Sequence, residues 1–122
     1  MSEFAGAVTF FEIGSDNPEA TERFYGEQFG WSFADPREGY RMVSTGKDHP
    51  TQGGLMDTSG QSSGHAIFYV QVDDVAATVR RAEELGGKVL LPATSTPNGL
   101  VFAHVRDGGG QRIGVYTPPK AG

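Results

Sequence analysis

The chain of 122 residues contains no cysteine. That absence removes disulfide frameworks, thiolate zinc sites and cysteine nucleophiles together, and it accords with a reducing compartment. A basic cluster is missing too. Ten Lys and Arg against fifteen Asp and Glu leave a formal charge of −5, and the only adjacent basic pair is Arg80-Arg81. Nucleic-acid binding requires clustered positive charge to displace counterions from phosphates, so no nucleic-acid partner is expected. No apolar run approaches the roughly 20 residues of a membrane span. The first residues, MSEFAG, show neither a basic n-region nor an apolar h-region. The expectation is a cytoplasmic protein without a membrane partner.

What is present is a plan used twice. Val8 to Phe33 reads as strand, capped helix and strand, and Ala66 to Leu90 echoes it. Each copy runs from an apolar strand to an acidic or amide cap, Asp16-Asn17 or Asp73-Asp74. An Ala-Thr step follows, at Ala20-Thr21 or Ala77-Thr78, and then an apolar-Gly stop, Phe29-Gly30 or Leu85-Gly86. Repetition at half the chain length points to duplication. The length suits one domain over 1–122, with a first module at about 5–58, a linker at about 58–64 and a second module at about 65–118. Thr58 to Gly64, TSGQSSG, is small and polar and is expected to be structureless.

Period and punctuation give the elements. Ala7 to Ile13 suits a strand, with Phe10 and Glu12 on one face and Phe11 and Ile13 on the other. Asn17-Pro18 opens a helix on which Ala20, Phe24 and Phe29, with Thr21, Tyr25 and Gln28 alongside, form a stripe of helical period, Phe24 and Phe29 being its core residues. Short strands follow at Trp31–Phe33, Tyr40–Ser44 and Gly53–Met56, with a loop from Gly46 to Pro50 in which His49 is solvated. In the second copy, His65, Ile67, Tyr69 and Gln71 share one face, and Ala66, Phe68, Val70 and Val72 face a helix. That helix carries Val75, Val79, Ala82 and Leu85 at helical spacing. Strands at Lys88–Leu91, Leu100–Arg106 and Gln111–Tyr116 complete the chain, with Pro92–Gly99 as a loop and Asp107-Gly-Gly-Gly as a hairpin turn. The predicted class is α+β: βαβββ twice, eight strands and two helices.

The residues in this order resemble the vicinal oxygen chelate superfamily, which includes glyoxalases, bleomycin-resistance proteins, extradiol dioxygenases and methylmalonyl-CoA epimerases. The likeness rests on Phe24-Tyr25…Phe29-Gly30-Trp31, on Asp74-Val75, Ala77, Val79, Ala82 and Leu85-Gly86-Gly87, and on the ending VRDGGGQRIGVYTP. Phe11-Glu12-Ile13 and Gly53-Gly54-Leu55-Met56 add to it. The resemblance implies an open cup-shaped sheet around a small ligand, and a homodimer. It also implies metal ligands at four positions, which fall here on Phe10, Gly54, Ile67 and Gly114. None of these offers an oxygen, nitrogen or sulfur side-chain donor, so no cofactor is expected. A register shift of one or two residues would bring Glu12 or His65 into such a position as the fallback pair.

Within that cup, Glu12 is the charge out of place, either a general base raised by burial or a structural ion pair with Arg41, Arg106 or Arg112. His104 is either a proton carrier or a hydrogen-bonded structural histidine. Tyr40, Met42, Tyr69, Phe102 and Tyr116 are expected to line the cavity, with Phe10 and Trp31 beside them. Phe11, Phe24, Phe29 and Phe68 are expected in the core. The leading expectation is a metal-free binder of a small, partly aromatic ligand held by Glu12, Tyr69 and His104. The alternatives are a lyase or isomerase with Glu12 and His104 as catalytic residues, and an interaction subunit whose cup is filled by its own side chains.

Overall fold

The structure, a computed structural model, describes residues 4–46, 51–61 and 64–119. His49 lies outside the described residues, as do the rest of the 47–50 stretch and Ser62-Ser63 of the polar segment. The chain divides into two compact units, the first Thr9–Ile67 and the second Met1–Val8 with Phe68–Gly122.

The first unit is built from β1 (Val8–Ser15), α1 (Pro18–Phe29), β2 (Ser32–Phe33), β3 (Tyr40–Ser44) and β4 (Gln52–Asp57). Its strands lie in the order β2-β3-β4-β1, with β1 parallel to β4 and the other pairs antiparallel. α1 begins where its caps predict. Asn17 Oδ1 accepts from Ala20 N at 3.2 Å, and Gly30 ends the helix at a φ of 77°, which a glycine adopts without a Cβ penalty.

The roll of α1 keeps Thr21 and Tyr25 of the expected stripe against the sheet and turns the rest outward. Phe24 and Phe29 are 57% and 58% exposed, and Ala20 is exposed as well. The half-buried side is Thr21, Glu22, Tyr25 and Gly26. Two polar attachments explain it. Thr21 Oγ1 donates to Ser15 Oγ at 2.7 Å, and Glu19 and Glu22 reach the buried Arg41 guanidinium at 3.2 and 3.6 Å. A buried cation without a carboxylate partner costs more than two exposed phenyl rings recover, so the charge sets the roll. Thr58 is a second departure. It is only 2% exposed and opens a hydrogen-bonded turn, with its N–H on Ser15 O and its carbonyl accepting from Gln61 N.

The second unit takes in most of β5 (Gly64–Gln71), then α2 (Val75–Glu84), β6 (Lys88–Ser95), β7 (Val101–Arg106) and β8 (Arg112–Thr117). The strand order is β5-β8-β7-β6, with β5 parallel to β8 and the remaining pairs antiparallel, the same plan as in the first unit. Residues before β1 belong here because Gly6 N donates to Gln71 O and Gln71 N to Ala7 O. Asp74 is the cap of α2, accepting from Ala77 N at 3.0 Å. The core is Val75, Ala103 and Val115, with Val70, Val72, Val79 and Val101 against it. Phe68, expected there, is 45% exposed. The ten-residue helix reaches only Val70 and Val72, because ten residues of helix span about 15 Å.

β6 continues through Pro92 to Ser95, where a loop was expected. Its pairing with β7 slips twice, between Val89 and Leu91 and between Leu91 and Thr94. Bulges on an edge strand are where a proline is tolerated. The Asp107 turn forms as expected, with Asp107 Oδ1 accepting from Gly109 N and Gln111 N at 2.8 and 2.9 Å.

Candidate functional site

Each unit gathers polar side chains on the sheet face opposite its helix. In the first unit the register aligns Glu12 with Gly54, and Gly54 with Met42, so the three share a face. Glu12 is 5% exposed. Tyr40 Oη donates to its Oε1 at 3.1 Å, and His65 Nε2 lies 2.8 Å from Oε2. Two glycines make that geometry possible. A Cβ on Gly54 would collide with the Tyr40 hydroxyl, and one on Gly14 would collide with the His65 ring. Both rings therefore lie flat over glycine backbone and reach the carboxylate from the side.

Arg41, weighed as a partner for Glu12, is spent on Glu19 and Glu22 of α1. Arg112, the second such partner, has its Nη1 3.3 Å from His104 Nδ1 in the other unit. The contacts that hold Glu12 thus include an imidazole and a phenol, the kind of neighbours that can exchange protons with it.

In the second unit, Tyr69, Gly114 and His104 form one row across β5, β8 and β7. Tyr69 and His104 are 5% and 6% exposed, and Tyr69 Oη lies 2.5 Å from His104 Nε2. A Cβ on Gly114 would collide with the Tyr69 ring, so glycine is again what admits the tyrosine. Tyr116 meets Tyr69 edge-on at 6.0 Å, and Phe102 meets His104 at 6.4 Å.

Of the expected lining residues, Met42 and Tyr40 share the Glu12 face, and Phe10 joins them by alternation. Tyr69, Phe102, His104 and Tyr116 share a face of the second unit. Trp31 is placed elsewhere, stacked on Tyr25 at 4.8 Å and 13° and touching Phe11 and Phe29, on the α1 side of the first unit. Sequence reasoning singled out neither Gly14 nor the Arg112–His104 contact. The signal for Arg112 was its alternation with Gly114 and Tyr116; Gly14 had none.

Asp57, at the end of β4, is held below the usual aspartate value of 3.8 by the Ser59 hydroxyl, then the Ser59 N–H, with a further contribution from Arg41. It is fully exposed.

The resemblance to metal enzymes can be tested on donor chemistry. Phe10, Gly54, Ile67 and Gly114 carry no side-chain donor, and Tyr40 and Tyr69 cover the space above the two glycines. Glu12 and His65 are two donors, and among the described residues no group of three His, Cys, Asp or Glu could hold an ion. Catalytic zinc sites commonly supply three protein ligands. The residues present do not fit such an ion. No helix among the described residues is long and apolar enough to cross a membrane.

Comparison with known proteins agrees with this architecture. A glyoxylase-like domain-containing protein of Didymella fabae is 28% identical over 122 residues, covering 93% of this chain and 95% of its own. Methylmalonyl-CoA epimerase from Mycobacterium tuberculosis superposes with a TM-score of 0.68 at 15% identity, over 98% of this chain and 93% of that one. The Mn(II)-bound glyoxalase from Novosphingobium aromaticivorans gives 0.65 at 16% identity, over all of this chain and 42% of that one. Likeness at such identity speaks for the fold alone. The family model of the Glyoxalase/Bleomycin resistance protein/Dioxygenase superfamily matches residues 7–115, and with nearly its whole length inside that match the chain belongs to this superfamily.

Proposed function

We propose that the protein binds a small, partly aromatic organic ligand and does so without a resident metal ion. The observation that carries the reading is the Glu12 centre: a buried carboxylate on an otherwise apolar strand, held by His65 at 2.8 Å and Tyr40 at 3.1 Å. Met42, 47% exposed and aligned with Gly54, supplies adaptable apolar surface beside it. The polar centre orients a ligand and the apolar surround provides affinity. The protein acts in this reading as a cytoplasmic homodimer.

A thermal-shift screen of aromatic metabolites and antibiotics tests it, since a ligand that binds only the native state raises stability. Stoichiometric nickel, zinc, manganese or iron after purification without added metal would overturn the metal-free part.

The Glu12–His65 contact favours a second reading, a lyase or isomerase. Glu12 would take a proton from carbon beside a carbonyl: the C–H bond breaks, an O–H bond forms on the carboxylate, and the electron pair moves onto the carbonyl oxygen. His65 and Tyr40 would stabilise the carboxylate between turnovers. Glu12→Gln separates the two readings. It abolishes turnover in an enzyme while the fold stays intact, and in a binder it changes affinity only.

A further inference from the structure

Sulfur chemistry in this chain belongs to methionine alone. There is no cysteine, and the methionines are Met1, Met42 and Met56. Met42 and Met56 stand on the face of the first unit that carries Glu12, since Met42 aligns with Gly54 and Met56 with Gly14. Their surroundings differ. Met42 is 47% exposed, although methionine is among the residues most often buried. Met56 is half-buried, with Tyr40 across from it on one strand and Gly14, covered by the His65 ring, on the other. An oxidant arriving from solvent therefore meets Met42 first.

The Met42 sulfur is also placed beside the hydrogen bond that Tyr40 gives to Glu12. Tyr40 Oη occupies the space that a Cβ on Gly54 would take, and Gly54 faces Met42 across the β3–β4 pair. Directly opposed positions on antiparallel strands hold their Cβ atoms about 5 Å apart, so the hydroxyl lies about that far from the Met42 Cβ. The sulfur is two bonds beyond that carbon, on an unbranched and adaptable stem. Tyr40 Oη donates to Glu12 Oε1 at 3.1 Å, longer than the usual O–H···O distance of about 2.8 Å. A thioether is too weak an acceptor to compete for that proton, whereas oxidation turns it into a polar group with an oxygen that accepts well.

We propose that Met42 is a modification site for hydrogen peroxide, and that its sulfoxide takes the Tyr40 hydrogen bond from Glu12. The sulfur lone pair attacks one peroxide oxygen: an S–O bond forms, the O–O bond breaks, and the transferred oxygen gives its proton to the departing hydroxide, which leaves as water. Sulfur loses two electrons and the peroxide gains them. The new oxygen then accepts from Tyr40 Oη, while His65 stays on Glu12 Oε2. The same step makes polar the surface on which the binding reading of this centre rests.

Peptide mass spectrometry during stepwise addition of hydrogen peroxide reads the order of oxidation. Met42 is expected to convert several-fold faster than Met56; equal rates, or Met56 ahead, overturn the proposal. Carbon-13 NMR of the Glu12 carboxyl and of Tyr40 Cζ then reads the hydrogen bond. Both signals should move as Met42 oxidises in the wild type and in Met56→Leu. They should stay still in Met42→Leu, which keeps the volume and lacks the sulfur. In Tyr40→Phe, oxidation of Met42 should leave the Glu12 carboxyl signal in place. A Glu12 signal indifferent to Met42 oxidation in the wild type sinks the inference, and so does one that moves equally in Tyr40→Phe. A blank ligand screen would end the binding reading and leave these results standing. Failure of the oxidation order, in turn, leaves the screen and Glu12→Gln to decide that reading.

Discussion

The two units share a sheet order and a device, and differ in the group that the device meets. In each, a glycine on the fourth strand lies under a tyrosine ring, Gly54 under Tyr40 and Gly114 under Tyr69. In the first unit that tyrosine donates to a carboxylate, with His65 on the other oxygen. In the second it meets a histidine backed by Arg112. One centre is built on a carboxylate and the other on an imidazole. Only the glycines correspond, for Tyr40 comes from β3 and Tyr69 from β5, so a duplicated scaffold keeps the gap while the ring that fills it arrives from a different strand.

The largest effect that would break the comparison is expected at Gly114. Gly114→Ala should destabilise by about 3 kcal/mol, read by urea denaturation, because the buried Tyr69 ring has nowhere to move. Glu12→Ala comes next at about 2 kcal/mol, since it strips a partner from both His65 and Tyr40. Gly54→Ala should cost about 1 kcal/mol, as the half-buried Tyr40 can swing outward, and adding Tyr40→Ala should recover most of that loss. Equal costs at Gly54 and Gly114 would show the two tyrosines to be held alike and remove this contrast between the units.

Smaller effects sharpen the picture of the first unit. Phe24→Ser should stay within about 0.5 kcal/mol of wild type, because that ring is exposed. A loss of several times that amount would restore the stripe expected from periodicity. Asp57→Asn bears on acid stability. The folded-state value of Asp57 is depressed, so its contribution is present above the ordinary aspartate value of 3.8 and is lost as pH falls through the folded value. The variant should be less stable near neutrality by a small margin, and the gap should close in acid. A gap that stays constant with pH would assign the effect to something other than ionisation.

Strand and helix identities were legible because they rest on local rules. Asn17-Pro18 and Asp73-Asp74 announce helix starts, Gly30 a stop and Asp107-Gly-Gly-Gly a turn, and each forms, with Asp74 taking the cap of α2. The two-residue alternation placed Glu12 on the face away from α1, and placed Tyr69 and Gln71 together. Helical period held for α1 only at Thr21 and Tyr25, and it misplaced Phe24 and Phe29, which look buried to any rule that counts apolar residues. What turned the helix was Arg41, contributed by a strand well along the chain, drawing Glu19 and Glu22 toward it.

The sequence by itself determined the class, the repeat, the caps and the presence of an unusual carboxylate in an apolar strand. Only the tertiary structure decided its partners. The contact of Glu12 with His65 spans 53 positions and that of Tyr69 with His104 spans 35, and both depend on strand register, which local patterns do not encode. The empty side chains of Gly14, Gly54 and Gly114 belong to the same class of fact. A glycine read in sequence signals backbone freedom, whereas here its use is the space it leaves for a ring from another strand, and that space exists only once the strands have paired.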